Sequence, residues 1–326
     1  MEKYKLDLLE EYSQERVSKS EESFEKEVKP KIRLMITRHA ERIPSGELSP
    51  EGVKSSKEKG QKMQSGAEVL KGYASDEKSN RTFDTSEFIS NESEIKSPLT
   101  DEAYATRKVA DIQYNILKPD LTRYLVEAKN LIEEATLKEI GLSTERDEKG
   151  KLKMNIEKLS KEEQIKIAPT RQKNQKLGMR FVLEKSEVVH RLAMGLAHQL
   201  VRELNISDRY VSMRDKKEQF PKKDVVLNTV THGLFLESLL KEAGVYKNLD
   251  GTEQKITDFE DENFGGYIQP SESVYLDIED SKKLPKNIPV VFEKENRPKS
   301  GAIFVNLEKM KQLDDDYLEW KNSQNE

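Results

Sequence analysis

Ile32, Leu34, Met35 and Ile36 make an apolar run too short for a free-standing helix, bounded by Pro30 in front and by the polar residues from Thr37 onward. Such a run reads as a buried strand. It ends in Arg38-His39, so a guanidinium and an imidazole stand side by side at the lip of a sheet, where open α/β folds bind ligands. Arginine presents a planar fork of donors matched to phosphate, and histidine serves as nucleophile as well as base. The pair points to phosphoryl chemistry. Ser49-Pro50-Glu51 then supplies an N-cap, a first-turn proline and a first-turn acid, so a helix starts there with its positive end toward the same place.

The chain repeats this design once. Asp224–Thr231 (DVVLNTVT) is its clearest strand; it ends in His232-Gly233 and feeds an apolar helix, LFLESLLKEAG. Two of only four histidines thus close strands. A glycine after the second lets backbone approach an anion closely. The other two, His190 and His198, fall in a helix expected over 178–204 and read as helix-surface or packed residues. No His-Glu-x-x-His or other metal-ligand spacing is present, so neither a metal nor another cofactor is expected.

Arg38-His39-Ala40-Glu41-Arg42 followed by Leu48-Ser49-Pro50-Glu51-Gly52 resembles the signature of the histidine phosphatase superfamily, the phosphoglycerate-mutase-like proteins, in its RHxE form. The resemblance implies a three-layer α/β/α sandwich with a mostly parallel central sheet and a helical insertion, and a phosphohistidine intermediate on His39. It implies a second phosphate arginine four residues before a threonine at a helix start, which Arg81 and Thr85 match. It also implies a general acid two places after a leucine, where Leu99-Thr100-Asp101 fits and Glu102 competes. His232 takes the place of the last catalytic histidine. Arg38 and Arg81 are the phosphate ligands on this reading, with Arg42 as a third that touches substrate or supports the loop.

The 326 residues suffice for one large domain or two ordinary ones. Only 34% are hydrophobic against 36% charged, which suggests solvated helices around a smaller core. With 56 basic and 61 acidic residues the net charge is −5, so the chain has no basic footprint for nucleic acid and no attraction to an anionic membrane. There is no cysteine, which excludes disulfides and thiolate metal sites. The N-terminal stretch is charged throughout and no apolar span reaches membrane length, so a cytoplasmic location is expected.

Taken in order, residues 1–29 read as a helical arm with a thin apolar stripe, and 30–326 as one α/β domain. Within it a helix is expected over 51–70, a short strand at 73–75, a helix opening at Arg81, and a strand over 93–99. Residues 103–177 are charged and helical in pattern and lie beyond the resemblance; they read as a helical cap inserted over the site. Short edge strands are expected at 267–278, 289–292 and 302–305, and a closing helix over 308–321. The expected activity is hydrolysis of a small phosphorylated substrate, with phosphoryl transfer to a second substrate oxygen, or a non-catalytic phospho-ligand scaffold, as alternatives. A phosphosugar, a phosphoacid, a nucleotide or a phosphohistidine on a protein would all suit such a pocket. Nothing in the chain sets the oligomeric state.

Overall fold

The structure is a computed structural model that describes residues 32–63, 67–75, 81–93, 106–109, 112–148, 152–214, 216, 224–260, 264–278, 283–294, 297–298 and 301–324. The expected arm at 1–29, all but Ser93 of the strand expected over 93–99, and both candidate acids, Asp101 and Glu102, lie outside these residues.

Strand β1 (Ile32–Arg38) is followed by helix α1 (Pro50–Lys62), β2 (Ala67–Ser75), α2 (Arg81–Glu92) and β3 (Thr106–Val109). Helices α3 (Thr122–Glu139), α4 (Lys161–Leu183) and α5 (Ser186–Arg214) come next, then β4 (Asp224–Thr231) and α6 (Gly233–Ala243). The chain closes through β5 (Gly244–Lys247), β6 (Glu253–Lys255), β7 (Ser273–Ile278), β8 (Asn287–Phe292), β9 (Ala302–Asn306) and α7 (Leu307–Ser323). The strands form one sheet in the order β3-β2-β4-β1-β7-β8-β9-β5-β6.

The protein is α/β as expected, but the sheet is not mostly parallel. Parallel pairing is confined to β3, β2, β4 and β1, whereas every pairing from β1–β7 onward is antiparallel. The cause is connection length. A parallel neighbour requires a crossover, and helices supply these only in the first part of the fold; after α6 the strands follow one another through loops and turn back on themselves. The three strands expected as edges are interior: β7 lies between β1 and β8, β8 between β7 and β9, and β9 between β8 and β5.

β1 alternates faces, and this makes the layers. Ile32, Leu34 and Ile36 enter the main core with residues of α5, α6 and α7, while Met35 packs with Val226 and Met63 at the end of α1. Thr37 also faces α1: its hydroxyl bonds Ser273 Oγ at 2.8 Å, and Lys59 of α1 donates to that same oxygen at 2.8 Å.

Two other expectations are corrected. The helix expected over 51–70 stops at Lys62, and Ala67–Ser75 is β2, because pairing with β4 on one side and β3 on the other satisfies its backbone. A helical spacing of Val53, Met63, Ala67 and Leu70 carries no information about those partners. The helix expected over 178–204 is two helices, α4 ending at Leu183 and α5 starting at Ser186, because a continuous apolar stripe reports the buried face and not the break between segments. Residues 106–109, expected within a helical insertion, form edge strand β3.

Candidate active site

The parallel register of β1 and β4 sets Arg38 opposite Thr231. The residues that follow, His39 and His232, therefore leave the sheet together. The His39 amide donates to the Thr231 carbonyl at 2.8 Å, and the two imidazole centroids lie 5.1 Å apart, edge to face. β2 lies on the other side of β4, so α2, which follows it, begins at this same end of the sheet. Arg81 in its first turn brings Nη2 to 3.0 Å from His232 Nδ1. Thr85, one turn on, accepts a hydrogen bond from the Ala40 amide at 3.1 Å and so ties the Arg81 helix to the loop after β1.

These contacts assign the two ring tautomers. His39 Nδ1 lies 2.8 Å from the Ala40 carbonyl, which can only accept, so Nδ1 carries the proton and Nε2 the lone pair. His232 Nδ1 faces a guanidinium, which can only donate, so its proton resides on Nε2. Both rings stay neutral at neutral pH. Burial holds His39 well below the usual imidazole range, with Arg81 and Arg38 adding to the effect against the opposing Ala40 carbonyl. Burial does the same to His232, reinforced by Arg81 and His39.

Arg38 is 5% exposed. It donates to the Ile268 carbonyl through Nη1 and to Gln175 Oε1 through Nη2, the latter at 2.6 Å. A Cβ on Gly233 would stand 3.0 Å from Arg38 Nε, so glycine is what lets the guanidinium lie against the start of α6. The Ile268 amide in turn donates to Glu237 Oε1 at 3.0 Å, and burial raises that carboxyl to about 7.

Arg38, His39, Arg42, Arg81 and His232 line one cavity of about 330 Å³. Glu41, the acid of the motif, is not among its walls; it accepts from the Ser49 hydroxyl at 3.4 Å beside the start of α1. Ser49 also caps that helix as expected, its Oγ accepting from the Gly52 amide at 3.0 Å.

Sequence reasoning assigned residues 103–177 to a cap over the site but named none of the side chains that line the opposite wall. Tyr114 stacks on His232 with centroids 4.5 Å apart and planes 17° apart, and Lys129 of α3, Glu157, and Arg171 and Gln175 of α4 add polar groups to the lining. Glu157 is the one carboxylate among the described wall residues, and it pairs with Lys129 at 2.9 Å. No local signal distinguishes these side chains: Arg171 and Gln175 lie in TRQKNQK, one more charged stretch in a chain full of them. They reach the cavity because α3 and α4 pack closely, at a point where a Cβ on Gly178 would come within 2.6 Å of Ile132 Cδ1.

His190 and His198 stand away from these walls. His190 Nε2 lies 3.4 Å from Asp316, and His198 Nδ1 lies 2.6 Å from Asp314 with its ring stacked on Tyr317. Among the described residues no group of three or more His, Asp or Glu side chains is placed to hold a metal ion, and no helix is long and apolar enough to cross a membrane.

No family sequence model and no curated protein sequence matches the chain. Solved structures do. The phytase of Citrobacter braakii aligns at 12% identity with a TM-score of 0.42, covering 89% of this chain and 98% of its own. Hafnia alvei phytase in complex with tartrate aligns at 9% identity with a TM-score of 0.43, covering 87% and 96%. A mycobacterial glucosyl-3-phosphoglycerate phosphatase aligns at 14% identity with a TM-score of 0.34, covering 82% and 99%. At these values the likeness is one of chain path alone, and the chemistry has to come from this chain's own residues.

Proposed function

We propose that this protein is a phosphatase of the histidine phosphatase type, which hydrolyses a phosphomonoester through a phosphohistidine on His39. The state of the His39 ring carries this reading. Its Nδ1–H is committed to the Ala40 carbonyl and its surroundings keep it neutral, so Nε2 offers a lone pair in a cavity lined by guanidiniums. Among the described residues the Nε atoms of Arg38, Arg42 and Arg81 are buried without a hydrogen-bond partner, a costly arrangement that an anion relieves.

The steps follow from the groups present. Arg38, Arg81 and Arg42 gather the phosphoryl oxygens, and His232 donates to one of them from Nε2. His39 Nε2 attacks phosphorus in line; the N–P bond forms as the P–O bond to the leaving group breaks. The leaving oxygen takes its proton from an acid, which the sequence resemblance places at Asp101, with Glu102 as the competing residue. Water then attacks the phosphohistidine and gives its proton to that carboxylate. The N–P bond breaks, inorganic phosphate leaves, and His39 returns neutral. All the cations in this scheme are side chains, so the scheme needs no metal ion. The α3–α4 pair serves as the cap that closes over the phosphoryl group.

Substitution of His39 tests the proposal. His39→Ala is expected to abolish turnover of p-nitrophenyl phosphate, and brief incubation with radiolabelled substrate is expected to leave acid-labile, base-stable phosphate on the wild-type protein and none on the variant. Turnover by His39→Ala near the wild-type rate refutes the mechanism.

A further inference from the structure

Both terminal nitrogens of Arg38 are tied to fixed acceptors. Nη2 donates to Gln175 and Nη1 to the Ile268 carbonyl, so the plane of the guanidinium depends on where that carbonyl points. Ile268 lies in the segment between β6 and β7, and this segment is bound to the end of β1 as well. The Arg38 amide donates to the Glu272 carbonyl at 3.0 Å, and the Ser271 amide donates to the Arg38 carbonyl at 3.1 Å.

The two peptide groups that meet at Ile268 are held by charged side chains. The peptide joining Ile268 to Gln269 turns its carbonyl to Arg38 and its amide to Glu272 Oε2, at 2.7 Å. The peptide before it turns the Tyr267 carbonyl to Arg297 Nη2, at 3.2 Å, and the Ile268 amide to Glu237 Oε1, at 3.0 Å. Glu272 has cations of its own, Arg297 at 3.4 Å and Lys294 at 4.0 Å. Glu237 is fully buried, has no ion-pair partner among the described residues, and its Oε2 accepts no hydrogen bond. It stands one turn along α6 from Gly233, the residue against which Arg38 lies, and of the acids around Arg38 it acts most strongly on that charge. A side-chain amide would accept the same hydrogen bond without the cost of a buried acid. What the carboxyl adds is a charge that can be present or absent beside a phosphate-binding arginine.

We infer that Glu237 is a positioning residue for Arg38: it holds the Ile268 peptide that orients the guanidinium, and it takes up a proton when an anion binds there. This rests on the reading of the cavity as a phosphoryl-transfer site, and it adds a residue that stands behind the cavity wall. Glu237 touches neither the substrate nor the reacting atoms.

The sign follows from the surrounding charges. Burial raises the carboxyl to about 7 against the pull of Arg38 and Arg297, with Glu272 opposing them; the hydroxyls of Tyr114 and Tyr267 are the other titratable groups in its field. Ionised, Glu237 offsets the Arg38 charge and weakens a bound dianion; protonated, it does not. Affinity for a dianion therefore falls as pH rises through neutrality, and by linkage the dianion favours the protonated carboxyl.

Calorimetric binding of sulfate, a dianion at both pH 6 and pH 8, to the full chain tests it. The wild-type protein is expected to bind sulfate about threefold or more tighter at pH 6 than at pH 8. Glu237→Gln keeps an acceptor for the Ile268 amide and is expected to bring that ratio close to one, which a residue that merely tied the segment to α6 would not do. Glu237→Met removes the acceptor. At pH 6 the wild-type carboxyl is mostly protonated, so charge drops out of the comparison, and Glu237→Met is expected to bind sulfate about tenfold or more weaker than wild type. The inference is refuted, while the phosphatase reading stands, if the wild-type ratio is near one, if Glu237→Gln keeps the wild-type ratio, or if Glu237→Met matches wild type at pH 6. It is equally refuted if the wild-type protein turns over p-nitrophenyl phosphate yet binds no sulfate. If sulfate does not bind and p-nitrophenyl phosphate is not turned over, the phosphatase reading falls and takes this inference with it. Should Glu237→Met fail to fold, the pH ratios of wild type and Glu237→Gln still decide the matter.

Discussion

Arg81→Ala separates the electrostatic role of this arginine from a structural one, because Arg81 touches both the proposed anion and one imidazole. In the intact site Arg81 Nη2 stands 3.0 Å from His232 Nδ1, and its charge is second only to burial in holding both His39 and His232 below the usual range. Removing it has two consequences that can be read separately. Loss of one charge-assisted contact to a phosphoryl oxygen costs about 1.5–3 kcal/mol, so the inhibition constant of phosphate or vanadate should rise about tenfold to 150-fold. The second effect is on pH. His39 attacks as a neutral ring, so activity is lost as pH falls through its folded-state pKa. Taking away a neighbouring cation raises that pKa, and the acid limb of the kcat/KM profile should move to higher pH. Arg81→Lys keeps the charge and loses the fork, so it should weaken inhibitor binding while moving the limb less. Steady-state kinetics with p-nitrophenyl phosphate across pH, with phosphate as competitor, measures both. An unchanged inhibition constant, or an acid limb that stays put or moves to lower pH in Arg81→Ala, refutes the assigned role.

Three further predictions can be checked independently. A general acid contributes about 10² to 10⁴ in rate, so Asp101→Asn should slow an alkyl phosphate far more than p-nitrophenyl phosphate, and Glu102→Gln should do little to either; the reverse pattern moves the role to Glu102. Gly233→Ala puts a Cβ 3.0 Å from Arg38 Nε, so kcat/KM should fall about tenfold or more as the guanidinium is displaced, while the melting temperature stays close to wild type; unchanged kinetics would mean that Arg38 does not need this position. Glu203 is fully buried, accepts from Gln199 and Thr229, and is raised by burial to about 7. A carboxyl with a raised folded-state pKa binds more protons folded than unfolded between the two values. Stability should therefore fall as pH rises from about 4.5 to about 7, on the order of 3 kcal/mol for this group. Urea unfolding at pH 5 and pH 8 should show a smaller pH dependence in Glu203→Gln, and an equal dependence would refute the assignment.

What could be read from the chain is what is encoded within a few residues. The Ser49 cap, the Pro50 and Glu51 start of α1, and the two strands that end in Arg38-His39 and His232-Gly233 are local patterns, and each recurs in the structure at the position expected. That the two histidines meet also follows from little information, since parallel strands of one sheet present their C-terminal ends on one side. The rest was decided by contacts between distant segments. β2 is a strand because β4 and β3 pair with it, against a helical apolar spacing, and most of the sheet's pairings are antiparallel because its later connections carry no crossover helix. The far wall of the cavity depends on tertiary packing most of all: Arg171 and Gln175 come from a polar stretch where nothing separates them from solvated neighbours, and they face the site because α3 and α4 close on each other at Gly178 and α4 is tied by Gln164 and Gln175 to the loop and arginine of the first motif. A strand end or a helix cap is written in adjacent residues; a wall built by helix packing exists only once the helices have met.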